Sequence, residues 1–72
     1  MTTKHIEIQK CGSAWEIVEF DAEGKRITLD NKRWQYKWSV DEAIHAAVKV
    51  YGKTFPILVR GPAGVINKII NP

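Results

Sequence analysis

The chain has 72 residues, a formal net charge of +3, 44% hydrophobic residues and 26% charged residues. This balance excludes an intrinsically disordered chain, and the length allows one domain with a small core. No stretch approaches the roughly 20 apolar residues of a membrane span, and a lone cysteine, Cys11, excludes an intramolecular disulfide. We therefore expect a single domain over residues 1–72 that lies in the cytoplasm and makes no membrane contact.

Two strand patterns open the chain. Residues 4–12 alternate apolar and polar side chains, which is typical of a half-buried strand, and Gly12 with Ser13 predicts a turn. Residues 14–20 carry apolar side chains on both parities, which predicts a strand with two apolar faces near the centre of a sheet. The apolar pairs on its two faces are Trp15 with Ile17 and Val18 with Phe20.

Two further strands are expected before the helix. Residues 21–24 have Asp and Gly where a tight hairpin requires them, and residues 25–29 return as a third strand. After a turn at 30–32, residues 33–38 alternate aromatic with polar or basic side chains, which indicates a fourth strand. That strand would place three rings on one face, those of Trp34, Tyr36 and Trp38.

The strongest local signal is the start of a helix at Ser39. Residues 39–42 form a capping box, in which the Ser39 hydroxyl accepts from the amide near Glu42 and the Glu42 side chain reaches back to the Ser39 amide. Apolar residues at helical spacing follow as far as Tyr51, and Gly52 is expected to end the helix.

Residues 55–60 and 65–70 read as a closing hairpin joined by a turn at 61–64. The order β-β-β-(β)-α-β-β predicts an α+β fold with a mainly antiparallel sheet of four to five strands and one helix on one face. A helix of about 12 residues shades roughly 180 Å², which is about half of a face of that sheet. The uncovered apolar half favours a homodimer.

The residue types and their spacing do not indicate a catalytic site. His5, His45 and Cys11 do not fall in the pattern of a catalytic triad or a zinc site. Asp41 and His45 share a helix face, but this is the polar face, where a solvated pair is typical. We predict a non-enzymatic protein with no catalytic residue, no bound metal and no cofactor.

Residues 25–37 carry five of the eleven basic residues against one acid, Asp30. Such a patch can bind phosphates, so we expect nucleic acid as one class of partner. In a strand over 33–38 the cations would lie opposite the rings, which suits the backbone of a duplex better than stacked single strands. The residues predicted to contact nucleic acid are Lys25, Arg26, Lys32, Arg33 and Lys37.

The aromatic residues of the same segment favour a different function. Each ring can bury roughly 150 to 250 Å², so the rings are expected to serve as core or as an interface. The alternative is a module that binds a protein partner through an exposed apolar sheet face, as a phage-type inhibitor or an adaptor does. The residues predicted for that interface are Val18, Phe20, Trp34, Tyr36 and Trp38.

The order of 14-AWEI-17, 25-KRITL-29 and 39-SVDEAIHAA-47 resembles plant AP2-type and phage integrase arm-type DNA-binding domains. That resemblance implies a three-stranded sheet docked in the major groove. The chain departs from this pattern at Glu16 and Glu19, where those domains favour basic residues.

A second resemblance extends over more of the chain. Trp15 in a first hairpin, the capped helix 42-EAIHAA-47 and the hairpin 58-LVRGPAGVI-66 are similar to a family of small, free-standing bacterial and phage proteins with no assigned function. This resemblance implies an α+β fold and no particular activity.

Overall fold

The computed structural model describes residues 3–27, 32–61 and 63–72, without the side chains of Lys32 and Arg33. Six strands and two helices lie within these ranges. In chain order they are β1 (Thr3–Cys11), β2 (Ala14–Asp21), β3 (Arg26–Ile27), α1 (Lys32–Gln35), β4 (Tyr36–Lys37), α2 (Val40–Tyr51), β5 (Ile57–Arg60) and β6 (Ile66–Ile70).

The structure confirms the first hairpin that the sequence pattern predicts. Cys11 pairs with Ala14 across a two-residue turn, in which Gly12 has a φ of 61° and Ser13 has a negative φ. That combination is typical of the type II′ turn, which fits the twist of a hairpin and favours glycine at its first position. The turn fixes the register of β1 against β2 and so determines on which face of the sheet each side chain of the two strands lies.

The sheet is mixed, which corrects the expectation of a mainly antiparallel one. Its order is β3-β2-β1-β5-β6, and β4 also pairs with β2. β1 and β5 run parallel, whereas the other described pairs are antiparallel. The connection through α2 carries the chain from the outer edge of β2 to the far side of β1, where β5 enters parallel to β1. The broader assignment, an α+β domain, is confirmed.

The strand predicted over 33–38 is wrong in its first half. Residues 32–35 form one helical turn, α1, and only Tyr36–Lys37 pair with β2. Trp34 packs against the core and meets the ring of Tyr51 at a centroid distance of 6.1 Å. This tertiary contact overrides the β propensity of the alternating aromatic residues. Of the third strand, Arg26–Ile27 is confirmed, and residues 28–31 lie outside the described ranges.

The predicted helix is confirmed at both ends. Oγ of Ser39 accepts from the amide of Glu42 at 3.2 Å, as predicted. The Glu42 carboxylate accepts from the Ser39 hydroxyl, whereas the prediction had it accept from the Ser39 amide. Gly52 donates its amide to the Val48 carbonyl and has a right-handed φ of −61°. A Cβ on Gly52 would lie 2.5 Å from that carbonyl oxygen, so the glycine is required by space.

The core lies between α2 and the sheet, as the helix-on-one-face prediction requires. Two alanines of α2, Ala43 and Ala47, are fully buried, and their small side chains allow the helix to approach the strands closely. Large half-buried side chains, among them Trp15, Trp34 and Phe55, surround this centre. The buried cluster is Ile6, Ile8, Ile17, Ala43, Ala47, Ile57 and Val59. No helix among the described residues is both long and apolar enough to cross a membrane.

Candidate functional site

The described members of the predicted basic patch do not form one surface. Arg26 of β3 pairs with Phe20, whereas Lys37 of β4 pairs with Trp15. Those two positions on β2 are five residues apart, about 17 Å along the strand. Lys25 lies beside Glu23 in the turn, with 3.9 Å between the ammonium and the carboxylate. The side chains of the remaining two predicted residues, Lys32 and Arg33, lie outside the described ones.

Arg26 is held by a buried carboxylate on the face of the sheet opposite α2, which we call the far face. Its guanidinium donates to Glu16 at 2.5 Å. The amide of Gln35 and the phenol of Tyr36 donate to the same carboxylate oxygen at 3.0 and 3.1 Å. The hydrogen bond to Glu16 raises the pKa of the Tyr36 phenol. Glu16 is 5% exposed, so Arg26 balances an internal charge here.

Glu7 forms a second buried carboxylate cluster on the far face. Nε of Arg60 donates to its Oε1 at 2.6 Å, Nε2 of Gln9 donates to the same oxygen at 3.0 Å, and Nε2 of His5 lies 2.8 Å from its Oε2. Burial raises the pKa of Glu7, but the hydrogen bonds from Arg60, His5 and Gln9 outweigh it, so the pKa lies below its usual value. The far face is therefore built around two compensated carboxylates.

The five residues predicted for a partner interface are dispersed. Val18 is only 2% exposed, and Phe20 stacks on His5 with a centroid distance of 5.1 Å. Trp34 packs on the core. Tyr36 and Trp38 are exposed, by 40% and 77%. The three rings expected on one strand face thus have three different surroundings.

A row of alternating lysine and tryptophan crosses three strands on the face that carries α2. Lys10 of β1 pairs with Trp15 of β2, and Trp15 pairs with Lys37 of β4. Lys10 and Trp15 lie two residues along their strands from the buried pair Ile8 and Ile17. Side chains two residues apart on a strand lie on the same face of the sheet, so the row lies on the face that packs against α2. We call Lys10, Trp15 and Lys37 the Lys–Trp row.

Both lysines of the row lie over aromatic rings. Nζ of Lys10 is 5.2 Å from the centroid of a Trp15 ring, and Nζ of Lys37 is 5.7 Å from the centroid of a Trp34 ring. Each contact is worth about 0.5–1 kcal/mol at an exposed site and restricts a flexible side chain. The Cα atoms of Lys10 and Lys37 are two strand spacings apart, about 10 Å. The row therefore presents two lysines on neighbouring positions of one sheet face, each with its ammonium over an aromatic ring.

The pairing of Lys10 with Trp15 could have been derived from the sequence. A two-residue turn at Gly12 and Ser13 places residue 10 opposite residue 15. The membership of Lys37 could not, because it depends on where β4 joins β2 after α1. The sequence pattern placed Lys37 on the face opposite Tyr36, and the pairing of β4 agrees, because Lys37 pairs with Trp15 and Tyr36 with Glu16. The pattern did not predict that Lys37 would lie over the ring of Trp34.

The surface is more basic than the net charge suggests. Five of the described acids accept hydrogen bonds within the fold, namely Glu7, Glu16, Glu19, Asp21 and Glu42. The described side chains that reach solvent include six exposed lysines, namely Lys4, Lys10, Lys25, Lys49, Lys53 and Lys68. The charges that an approaching molecule meets are thus mainly positive.

An open surface depression with a volume of about 450 Å³ adjoins the Lys–Trp row. Lys37 lines it, together with four residues from the first two turns of α2, namely Asp41, Glu42, His45 and Ala46. Among the described residues, no group of three or more His, Cys, Asp or Glu side chains could hold a metal ion.

No family model matches this chain, and neither a curated protein nor a solved structure is similar enough to count as a match.

Proposed function

We propose that this chain is a non-enzymatic binding module that contacts the backbone of nucleic acid through the Lys–Trp row. The observation that supports this function is the alignment of Lys10, Trp15 and Lys37 across three strands, with both ammonium groups held over indole rings. Oriented cations beside aromatic rings are the features that nucleic-acid-binding sheets use.

The energetic basis is the release of counterions. Each lysine that neutralises a phosphate releases close to one counterion, so binding weakens as salt rises. A lysine held over an indole loses less side-chain freedom when it binds than a free lysine, because part of that freedom is already lost.

The other basic residues of the original patch have supporting roles in this proposal. Lys25 is 68% exposed and free to approach a phosphate, although Glu23 lies nearby. Arg26 shares its guanidinium with Glu16, which lowers its value as a phosphate ligand. Lys32 and Arg33 remain predicted contacts.

A protein partner on an apolar sheet face has less support. Val18 is buried and Phe20 is stacked on His5, so these two residues offer little free apolar surface. The exposed Tyr36 and Trp38 are compatible with either kind of partner. A homodimer stays a prediction, and sedimentation of the purified chain would test it.

The test is fluorescence anisotropy with labelled DNA at about 20 to 200 mM salt. We expect binding that weakens with salt, and a double variant, Lys10→Gln with Lys37→Gln, that loses about one unit of salt slope per lysine. Lys68→Gln, which removes an exposed lysine from β6 at the opposite edge of the sheet, is the matched control and should change the slope little. An absence of binding at the lowest salt, or equal losses for the double variant and the control, would overturn the proposal.

A further inference from the structure

Another surface depression, with a volume of about 250 Å³, lies where the parallel strands β1 and β5 end. β1 contributes Gln9 and Lys10 to its lining, and β5 with the turn that follows contributes Arg60, Gly61 and Gly64. None of these lining residues is acidic, in contrast with the depression beside α2. Two cationic side chains from neighbouring strands thus meet at one place on the surface.

Arg60 is held in position at this depression by two hydrogen bonds. Its Nε donates to Oε1 of Glu7 at 2.6 Å, and its Nη1 donates to the carbonyl oxygen of Gly64 at 2.6 Å. A guanidinium carries five N–H donors, and these two bonds use two of them. Its side chain is partly exposed, so an anion in the depression meets an arginine that has already lost much of its side-chain freedom.

Lys10 belongs both to the depression and to the Lys–Trp row. It lines the depression, and its ammonium lies over the ring of Trp15. A cation–π contact is weak at an exposed site, so the ammonium can leave the ring for a phosphate. The register that pairs Ile8 with Val59, continued by two residues, brings Lys10 beside Gly61, which carries no side chain. The depression therefore adjoins the row at Lys10.

The size and the charge of the depression favour a single phosphate group. Its volume of about 250 Å³ lies below the range of about 300–1,000 Å³ that is typical of small-molecule sites, so one ionic group suits it better than a whole nucleotide. Lys10 and Arg60 carry two positive charges, and Glu7 neutralises one of them. The remaining charge matches that of one backbone phosphate, and a guanidinium fork fits phosphate oxygens well.

We propose that this depression binds one phosphate of the nucleic-acid backbone, with Arg60 and Lys10 as its cations and Glu7 as the residue that limits its affinity. The inference rests on the proposed function and adds a second point of contact beside the Lys–Trp row. Glu7 is a positioning residue, because it holds Arg60 through a hydrogen bond. Its negative charge also opposes an incoming phosphate. Glu7→Gln keeps an acceptor for Arg60 and removes that charge, so it should strengthen binding.

The first experiment measures affinity for labelled DNA by fluorescence anisotropy at about 100 mM salt. We expect Glu7→Gln to bind about threefold or more tightly than the unchanged chain, because it removes a negative charge close to the phosphate. Glu16→Gln is the matched control, because it removes the other buried carboxylate of the far face, which also holds an arginine. Since β2 lies two strand spacings from β5, about 10 Å, salt screens the charge of Glu16 and its removal should have a smaller effect.

The second experiment removes Arg60 without a change of net charge. The double variant Glu7→Gln with Arg60→Gln replaces the ion pair by two amides, and we expect about fivefold weaker binding and a loss of about one unit of salt slope. Glu16→Gln with Arg26→Gln makes the same replacement in the other carboxylate cluster. This matched control should change the affinity by less than about twofold. Circular dichroism checks that both double variants keep the fold.

A titration with inorganic phosphate tests the depression without DNA. The amide NMR signals of Gly61 and Gly64 report binding, and sodium chloride at the same ionic strength is the control. We expect shifts that saturate in the unchanged chain and in Lys37→Gln, which alters the row but not the depression. Lys10→Gln, which alters both, should lose the saturation.

The outcomes separate this inference from the proposed function. Absence of DNA binding to the unchanged chain would refute the proposed function, and saturating shifts would then retain the depression as a site for free phosphate. Equal gains in affinity for Glu7→Gln and Glu16→Gln would overturn the inference and leave the Lys–Trp row as the proposed contact. Equal losses for the two double variants, or phosphate shifts that do not saturate, would overturn it in the same way.

Discussion

Arg60 of β5 donates from Nε to Oε1 of Glu7 on β1 at 2.6 Å, across the parallel strand pair. Glu7 is 5% exposed, so its charge depends on Arg60 for compensation. Removing Arg60 takes away the arginine partner of a buried carboxylate, although Arg60 itself is 36% exposed. This contact thus ties the closing hairpin to the centre of the sheet.

We expect Arg60→Leu to lower the free energy of unfolding, because it leaves the Glu7 carboxylate with only His5 and Gln9 as partners. Urea denaturation at neutral pH measures the change. Lys68→Leu, on the adjacent strand β6, makes the same substitution at an exposed position and should change stability little. Equal effects of the two substitutions would show that the Glu7–Arg60 pair does not contribute.

The lowered pKa of Glu7 predicts a dependence of stability on acid. Its pKa lies below the usual 4.5 in the folded chain, so the unfolded chain binds more protons near that pH. The contribution of Glu7 is therefore fully present above pH 4.5 and is lost as pH falls through the folded pKa. Urea midpoints measured from neutral pH downward should fall, and Glu7→Gln should flatten that fall. A variant with an unchanged acid dependence would contradict the prediction.

Both tyrosines of the chain should ionise late. Burial and a hydrogen bond to Glu19 at 2.5 Å raise the pKa of Tyr51, and a hydrogen bond to Glu16 raises that of Tyr36. Ultraviolet titration of the folded protein should therefore show phenolate forming above the usual pKa of 10.0. The same titration in denaturant is the control and should have its midpoint near that value. A folded midpoint that matches the denatured one would contradict both hydrogen bonds.

Ser39 accounts for the start of α2 through its hydrogen bond to the Glu42 amide. We expect Ser39→Ala to cost about 1 kcal/mol of stability and Ser39→Asp to retain most of it, because both Ser and Asp cap helices well. Ser13→Ala, in the exposed turn of the first hairpin, is the matched control. Thermal unfolding followed by circular dichroism measures all three. A loss in Ser39→Asp as large as in Ser39→Ala would exclude capping as the cause.

The sequence predicted those features that neighbouring residues decide. The two-residue turn at Gly12 sets the register of β1 and β2, and Ser39 with Glu42 sets the start of α2. Features that depend on contacts between residues far apart in the chain could not be predicted from the sequence pattern. The parallel pairing of β5 with β1 and the helical turn before Tyr36 depend on the path through α2 and on the packing of Trp34. The same distinction holds for the site. The pairing of Lys10 with Trp15 follows from a local turn and could be predicted, whereas Lys37 lies beside Trp15 only because β4 pairs with β2.

The different surroundings of Trp34 and Trp38 distinguish the observed fold from the predicted strand. On a strand over 33–38 they would share one face and similar burial, but Trp34 packs on the core against Tyr51 and Trp38 is 77% exposed. We expect Trp34→Ala to cost about 2–4 kcal/mol, because it removes a large side chain from a packed site. Trp38→Ala should cost less than about 0.5 kcal/mol, because it removes no core contact. Urea denaturation of the two variants measures the difference, and equal costs would favour a strand over the helical turn.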